Sequence, residues 1–267
     1  KAFKKVDLKF MENKNLFRCK NCLNMSTRPR ITFDHDGWCN ACVWMKEKKS
    51  VDWQSREKEF LQIVKKYKLN KEFDCIIPVS GGKDGSYVSY TLKEKFNLNP
   101  LCVTVRPPLS MEVGDINLVN FVRSGFDHLH ITPNEKVMQI INRGGFQDMG
   151  FPYYGWLIAI YSAVIKVAYN FNIPLIIYGE DGEIEYGGSI ENKNKAIFNI
   201  DYLIKSYLEK GYEKVLKNLD VDKSELYWFT LPEVKKLKKT EIALTHWSYF
   251  ENWDPYRNYM IAKEKCG

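Results

Sequence analysis

An apolar run, Cys75-Ile76-Ile77, passes directly into Pro78-Val79-Ser80-Gly81-Gly82-Lys83-Asp84-Gly85-Ser86 and then into a helix-like stretch over residues 87–96. No other feature constrains the chain as tightly, because this order predicts a strand, a glycine-rich turn and a helix start. A helix N-terminus carries unpaired N–H groups and the positive end of the helix dipole, so it attracts anions. Gly81 and Gly82 admit the backbone close to phosphate oxygens, where a Cβ would intrude. Ser80 and Ser86 add hydroxyl groups and Lys83 a cation. The spacing is not that of the Walker A motif, which puts four residues between its first glycine and Gly-Lys.

The chain around this turn alternates strand and helix. Strands are predicted over 74–79, 101–105, 126–131 and 174–178, with helices to about residue 97, over 113–124, from Pro133-Asn134 onward, and over 156–171. That alternation indicates a parallel, doubly wound α/β sheet, whose ligands sit beyond the carboxyl ends of the strands. Ser80, Arg106 and Thr132 are strand-exit positions. Arg106 either meets a phosphate or carboxylate or caps a surface turn. Residues 142–155 are rich in glycine and aromatics and read as a loop, either lining a substrate pocket or merely connecting.

The strand over 174–178 runs out into Gly179-Glu180-Asp181-Gly182-Glu183-Ile184-Glu185-Tyr186-Gly187-Gly188. Carboxylates facing a triphosphate hold Mg²⁺ or bind polar groups of a substrate. Glu180 and Asp181 lie nearest the strand end, and a solvated acidic loop is the alternative. Further on, residues 200–208, 212–219 and 232–244 read as helices and 226–230 as a last strand. The stretch from His246 to Tyr256 is dense in aromatics: exposed it would be a binding wall for a ring or sugar, buried it would be core. The sequence leaves both open.

Upstream stand Cys19-Lys20-Asn21-Cys22 and, sixteen residues later, Cys39-Asn40-Ala41-Cys42. Paired knuckles at this spacing predict a structural, four-thiolate Zn²⁺ site formed by Cys19, Cys22, Cys39 and Cys42, over free thiols, a redox pair or an iron–sulfur cluster. A closed site of this kind leaves no position for water. A single helix over residues 44–67 is expected to join it to the first strand. The expected organisation is a zinc-knuckle module over 1–50 and a nucleotide domain over 51–267, the latter incomplete at its C-terminal end.

Composition narrows the classes. The chain has 267 residues, 45% hydrophobic and 27% charged, which suits one large domain, or one domain plus a small appendage. No apolar run approaches the roughly 20 residues that span a bilayer. The first residues, Lys1-Ala2-Phe3-Lys4-Lys5, do not read as a signal peptide, and a cytoplasmic address is expected. The net charge of +7 suits an anionic ligand, nucleic acid or nucleotide sugar alike. Lysine runs at residues 46–49 and 235–239 read as solvated faces.

The Ser80–Ser86 loop resembles the SGGxDS-type loop of the PP-loop ATP pyrophosphatases, here with Gly85 before the serine. Together with both knuckles, the Tyr-Gly-Glu-Asp-Gly-Glu run from Tyr178 and the Trp-Ser-Tyr-Phe-Glu-Asn-Trp-Asp-Pro-Tyr-Arg run from Trp247, the chain resembles the N-acetyl sugar amidotransferases of surface-glycan biosynthesis (the WbpG/PseA group). The likeness runs from about Cys19 to the end.

It implies a PP-loop (adenine nucleotide alpha hydrolase-like) fold. The implied activity is ATP-dependent conversion of a sugar acetamido group to an acetamidino group, through an adenylated imidate and ammonia. ATP and Mg²⁺ are the implied ligands, with Ser80, Gly81, Gly82, Lys83, Asp84, Gly85, Ser86, Arg106 and Gly179 at the nucleotide. Lys83, Asp84, Glu180 and Asp181 are then the catalytic candidates. The implied partners are a nucleotide-activated sugar and a separate glutaminase with a cyclase-like ammonia channel, resembling the histidine-biosynthesis pair; neither membrane nor nucleic acid is expected.

The competing enzyme class is a PP-loop tRNA-modifying protein that adenylates and then thiolates. The cysteines outside the knuckles argue against it: Cys75 and Cys102 fall in predicted buried strands and Cys266 at the end of the sequence. A non-catalytic zinc-ribbon adaptor is the third reading, and the intact Ser80-Gly81-Gly82-Lys83-Asp84 argues against that.

Overall fold

The computed structural model describes residues 16–208, 211–232 and 241–267. It divides into two compact units. One consists of residues up to Val51 together with Gly182–Lys193; the other comprises Asp52–Asp181 and Asn194–Gly267.

The larger unit is built on five parallel strands, β1 (Cys75–Pro78), β2 (Pro100–Val105), β3 (His128–Ile131), β4 (Leu175–Tyr178) and β5 (Ala243–His246), in the order β3-β2-β1-β4-β5. β1 lies in the centre, pairing Ile76 with Leu101 of β2 and with Ile176 of β4. Cys75, Ile76 and Ile77 are fully buried, as expected of a strand covered on both faces. At one edge β3 (His-Leu-His-Ile) is only half-buried. The other edge, β5, is capped where Phe198 exchanges backbone hydrogen bonds with Leu244.

Helices cover both faces. α2 (Trp53–Tyr67), α3 (Lys83–Phe96), α4 (Glu112–Arg123) and α10 (Pro255–Cys266) meet in one core around Phe60, Leu92, Phe121 and Trp247. On the other face α5 (Glu135–Met149), α6 (Tyr154–Phe171), α8 (Ile200–Ser206) and α9 (Tyr212–Lys217) surround Ile141, Ile158, Ile165 and Leu203. The winding direction reverses between β1 and β4. Neighbouring strand exits diverge there, and a crevice opens at the carboxyl edge.

Four expectations change. The helix foreseen over 44–67 is two, because Asp52 starts a new one: its side chain accepts from the Ser55 N–H at 3.0 Å. The first helix, α1 (Asn40–Glu47), belongs to the smaller unit. The loop foreseen over 142–155 is mostly the second half of α5 and the start of α6. Its glycines let the two helices touch, since a Cβ on Gly145 would lie 2.5 Å from the Tyr154 Cβ. The last strand is Ala243–His246; residues 226–230 fall instead in a 3₁₀ turn over Lys223–Phe229, started by Asp222 accepting from the Ser224 N–H. Of the helix foreseen over 232–244, residues 233–240, and with them the lysine run at 235–239, lie outside the described residues. Among the described residues no single helix is long and apolar enough to cross a membrane.

Candidate nucleotide site and metal centre

The first strand continues past Pro78 as Val79, whose N–H donates to the Val103 carbonyl at 2.9 Å, and the chain then turns through Ser80 and Gly81. Gly81 has φ of +76°, and a Cβ there would sit 2.7 Å from the Leu118 backbone nitrogen. Both left-handed strain and collision with α4 therefore exclude any side chain. Gly82 is the N-cap of α3 and provides no side-chain cap, so the first N–H groups of the helix face the turn without one. The departure at Gly85 has a packing cause. A Cβ there would come 3.0 Å from the Pro78 carbonyl and 3.1 Å from the Val79 Cα.

Lys83 Nζ lies 2.5 Å from Asp84 Oδ2, while Asp84 Oδ1 is buried and has no hydrogen-bond partner among the described residues. A buried carboxylate oxygen without a donor is costly, and a hard cation such as Mg²⁺ is one group that would satisfy it. The one open carboxylate oxygen of Asp84 is of the kind that ion takes.

Gly179 places the exit of β4 against this turn. A Cβ on Gly179 would meet the Asp84 Cβ at 3.2 Å and Trp253 at 3.3 Å. Asp181, two residues on, is buried and turns to other partners: its N–H donates to Ser248 Oγ at 2.9 Å, and the Tyr207 hydroxyl donates to Oδ1 at 3.2 Å. His246 Nδ1 stands 3.8 Å from Oδ2. Burial pushes that imidazole below its usual range against the pull of Asp181. Glu180, half-buried, completes the strand exit.

The aromatic stretch after β5 is core: Trp247, Phe250 and Trp253 are all buried. It braces the turn, with Tyr87 donating to Glu251 at 2.6 Å and Arg257 paired with the same carboxylate.

Among the described residues, two cavities at the carboxyl edge bear on the site. One, of about 250 Å³, adjoins the glycine turn and is walled by Gly81, Lys83, Asn117, Tyr259, Lys263 and Cys266. The α10 residues are a contribution that the sequence reading missed; their spacing on one helix face was legible, but not what that face meets. Cys266, expected to be remote, lies here, its thiol 4.0 Å from the Ser86 carbonyl. The second cavity, of about 340 Å³, lies beyond β2 and β3, with Arg106, Leu109, Thr132, Met138, Asn142 and Tyr153 among its walls.

In the smaller unit the four cysteine Sγ atoms all lie within 4.8 Å of one another. Cys19 to Cys42 is 3.8 Å and Cys22 to Cys39 is 3.5 Å. Tetrahedral Zn–S bonds of about 2.3 Å would set the sulfurs about 3.8 Å apart, so the set fits such an ion. Cys39 N–H and Asn21 N–H donate to Cys19 Sγ at 3.1 and 3.4 Å. Burial opposes ionisation, yet backbone donors from Cys22, Cys39 and Asn21 hold the Cys19 thiol down to about 6.

The acidic run foreseen as a loop enters this unit as a single helical turn, α7 (Gly182–Glu185). Glu183 accepts two hydrogen bonds from Arg30, at 2.7 and 2.8 Å, and Glu185 accepts from Trp44 Nε1 at 2.8 Å and Lys48 Nζ at 3.0 Å. Lys48, expected on a solvated face, is buried with its partner.

No protein-family model matches the chain. Over 92 residues it is 38% identical to an uncharacterized protein of Methanocaldococcus jannaschii; the match takes in 33% of this chain and 32% of that protein, so the chain spans about a third of the relative's length. Among solved structures it is similar to the U34-tRNA thiolase NcsA of Methanococcus maripaludis, which holds a [4Fe-4S] cluster (14% identity, TM-score 0.40, 93% of this chain and 72% of that one). It is also similar to a protein predicted to be a tRNA methyltransferase subunit from Methanocaldococcus jannaschii (14%, 0.35, 71% and 74%). A third is the NH₃-dependent NAD synthetase of Campylobacter jejuni (16%, 0.36, 81% and 94%). The chain itself is a doubly wound parallel α/β protein with a glycine-rich turn at its switch point and a four-cysteine cluster in a separate unit.

Proposed function

We propose that this chain is an enzyme that binds ATP over residues 80–86 and transfers AMP to an oxygen of an acceptor, releasing pyrophosphate. The observation that carries the reading is the α3 N-terminus behind Gly81 and Gly82, without a side-chain cap, at the sheet's switch point. The acceptor oxygen attacks the α-phosphorus, the bond to the β-phosphate oxygen breaks, and negative charge grows on the departing pyrophosphate. The turn's N–H groups and Lys83 stabilise that charge. Asp84 would hold Mg²⁺, which neutralises phosphate charge when bound.

The acceptor we favour is the acetamido oxygen of a nucleotide-linked sugar, on the strength of the motifs from Tyr178 and Trp247. Amide oxygen leaves poorly and an adenylated oxygen leaves well. Ammonia then adds to the imidate carbon, the carbon–oxygen bond to AMP breaks, and a proton is lost to give the amidine. A separate glutaminase with a channel protein would supply the ammonia, and Zn²⁺ would occupy the four cysteines.

The second reading is adenylation of a tRNA base followed by sulfur transfer, and the net charge of +7 is compatible with an RNA partner as it is with a nucleotide sugar. Sulfur transfer needs a reachable thiolate. Burial pushes the Cys75 thiol well above its usual range and that of Cys102 up to about 12, and also raises Cys266 in the cavity wall.

AMP and pyrophosphate release decides between the two. The assay supplies ATP and Mg²⁺, with either ammonium and a panel of diacetamido nucleotide sugars or tRNA. We expect AMP with one sugar, a product in which one oxygen is replaced by NH, and at least a hundredfold loss in Lys83→Ala, as for removal of one transition-state donor (about 10²–10³-fold). AMP formed with tRNA alone would transfer the assignment to the second reading.

A further inference from the structure

The last peptide before the glycine turn is held from the neighbouring strands. Val79, which precedes Ser80, donates its N–H to the Val103 carbonyl of β2, and its own carbonyl accepts from Thr104 Oγ1 at 2.8 Å. Thr104 is buried in β2, and its hydroxyl lies 2.8 Å from Nε2 of the half-buried His128 of β3. In the β2–β3 register His128 stands beside Cys102 and His130 beside Thr104, so Thr104 and His128 share one face of the sheet and meet on the diagonal. All of these residues belong to the larger unit.

The direction of this chain of hydrogen bonds follows from which atoms can donate. A carbonyl only accepts, so the single Thr104 hydroxyl proton goes to Val79. Toward His128 the hydroxyl oxygen must then accept, and Nε2 must carry the imidazole proton. Burial, and after it the neighbouring His130, push the His128 pKa below its usual range, so near neutral pH the ring holds that one proton. The relay thus runs from the edge strand β3 through β2 to the central strand β1. With its oxygen engaged by His128 the Thr104 hydroxyl keeps one direction, and hydrogen bonds in series strengthen one another.

Peptide geometry carries this to the turn. The Val79–Ser80 peptide is trans, so its C=O and N–H point in opposite directions. With the carbonyl held toward β2, the Ser80 N–H points to the other side of β1, where β4 lies and the crevice opens. Among the described residues that N–H has no hydrogen-bond partner. We propose that His128 and Thr104 are positioning residues for the nucleotide: through Val79 they aim the Ser80 N–H at the phosphates. The proposal rests on the ATP reading above.

The test uses the full chain. Nitrogen–proton NMR of the imidazole is expected to show the His128 proton on Nε2. Calorimetric titration with Mg-ATP then compares the parent with Thr104→Val, Thr104→Ser, His128→Leu and His128→Gln. Thr104→Val is expected to bind about tenfold more weakly, the size of one hydrogen bond to a buried carbonyl, and Thr104→Ser to return to within about twofold of the parent. His128→Leu, which leaves the Thr104–Val79 bond in place, is expected to lose about threefold, and His128→Gln, whose amide also donates, to recover it. Amide exchange at residues 80–82 should quicken in Thr104→Val and His128→Leu. Should Thr104→Val not fold, the two His128 variants decide. The proposal is overturned by a His128 proton on Nδ1, by a Thr104→Ser variant as weak as Thr104→Val, or by unaltered affinity in both Thr104→Val and His128→Leu. A parent that does not bind Mg-ATP would overturn the nucleotide reading instead, and the His128 tautomer with the exchange at 80–82 would still show whether the relay holds the turn.

Discussion

Lys166 shows how a single residue sets a testable pH dependence. It sits within α6 and is 7% exposed; its ammonium donates to Thr230 Oγ1 at 3.4 Å and lies 4.0 Å from the Tyr227 ring centroid. Burial pushes its pKa down to about 8. The folded value is below the unfolded one, so the unfolded chain holds the proton more tightly. Stability is therefore reduced below about pH 8 and is recovered as pH rises from there toward the unfolded value near 10.4. Lys166→Met removes the charge and its desolvation cost but also the cation–π contact, worth about 1 kcal/mol. Because the desolvation cost is the larger, the variant is expected to be more stable at pH 7 by about 1 kcal/mol. Urea unfolding between pH 7 and 9.5 checks this: the gap between variant and parent should close as the pH rises. Gly81 is the opposite kind of residue, legible at once from the sequence because a backbone approach to phosphate tolerates nothing larger. Its second reason, the Leu118 backbone 2.7 Å from where a Cβ would be, needed the fold.

At the scale of elements, the contact between α5 and α6 turns on glycine. Gly145→Ala gains helix propensity of about 1 kcal/mol. The new Cβ would meet the Tyr154 Cβ at 2.5 Å, and Tyr154 is fully buried with its hydroxyl donating to the Leu208 carbonyl at 2.7 Å. Neither group can move away without cost, and overpacking of about 1–3 kcal/mol outweighs the propensity. A net loss of about 1–2 kcal/mol in chemical denaturation is expected, and a gain would show that the helices re-seat. Residues 142–155 read as a loop because four glycines and a run of aromatics are also what a loop contains. The strand–turn–helix at residues 75–96 was legible because apolar run, glycine pair and amphipathic helix follow each other locally. The last strand was not, since β5 is four residues long and gains its identity by pairing Leu175 with Ala243 and Tyr178 with His246.

The whole molecule consists of two units, each with its own source of stability. The larger has apolar cores on both faces of its sheet; the smaller has an apolar cluster of Cys19, Cys39, Cys42, Ala41 and three partly buried neighbours, Ile31, Phe33 and Trp38. So few apolar groups cannot offset chain entropy, and in such modules metal binding is the folding energy. A high-affinity chelator is expected to abolish amide protection in residues 19–44 while protection of β1, β2 and β4 persists, and added Zn²⁺ should restore it. Equal loss in both units would show that they unfold together.

By itself the sequence determined the parallel α/β class, the Ser80–Ser86 turn and the four cysteines that come together. These rest on short-range rules: a side-chain period, a glycine where a Cβ cannot go, a fixed spacing between thiols. Tertiary structure alone decided what those rules do not encode. It turned the aromatic run after β5 into a brace, brought Tyr259 and Lys263 of α10 to the glycine turn, and gave Glu183 and Glu185 their partners more than a hundred residues upstream. Such pairings are set by which faces pack and which charges are desolvated together, and that free energy exists only once the chain is folded.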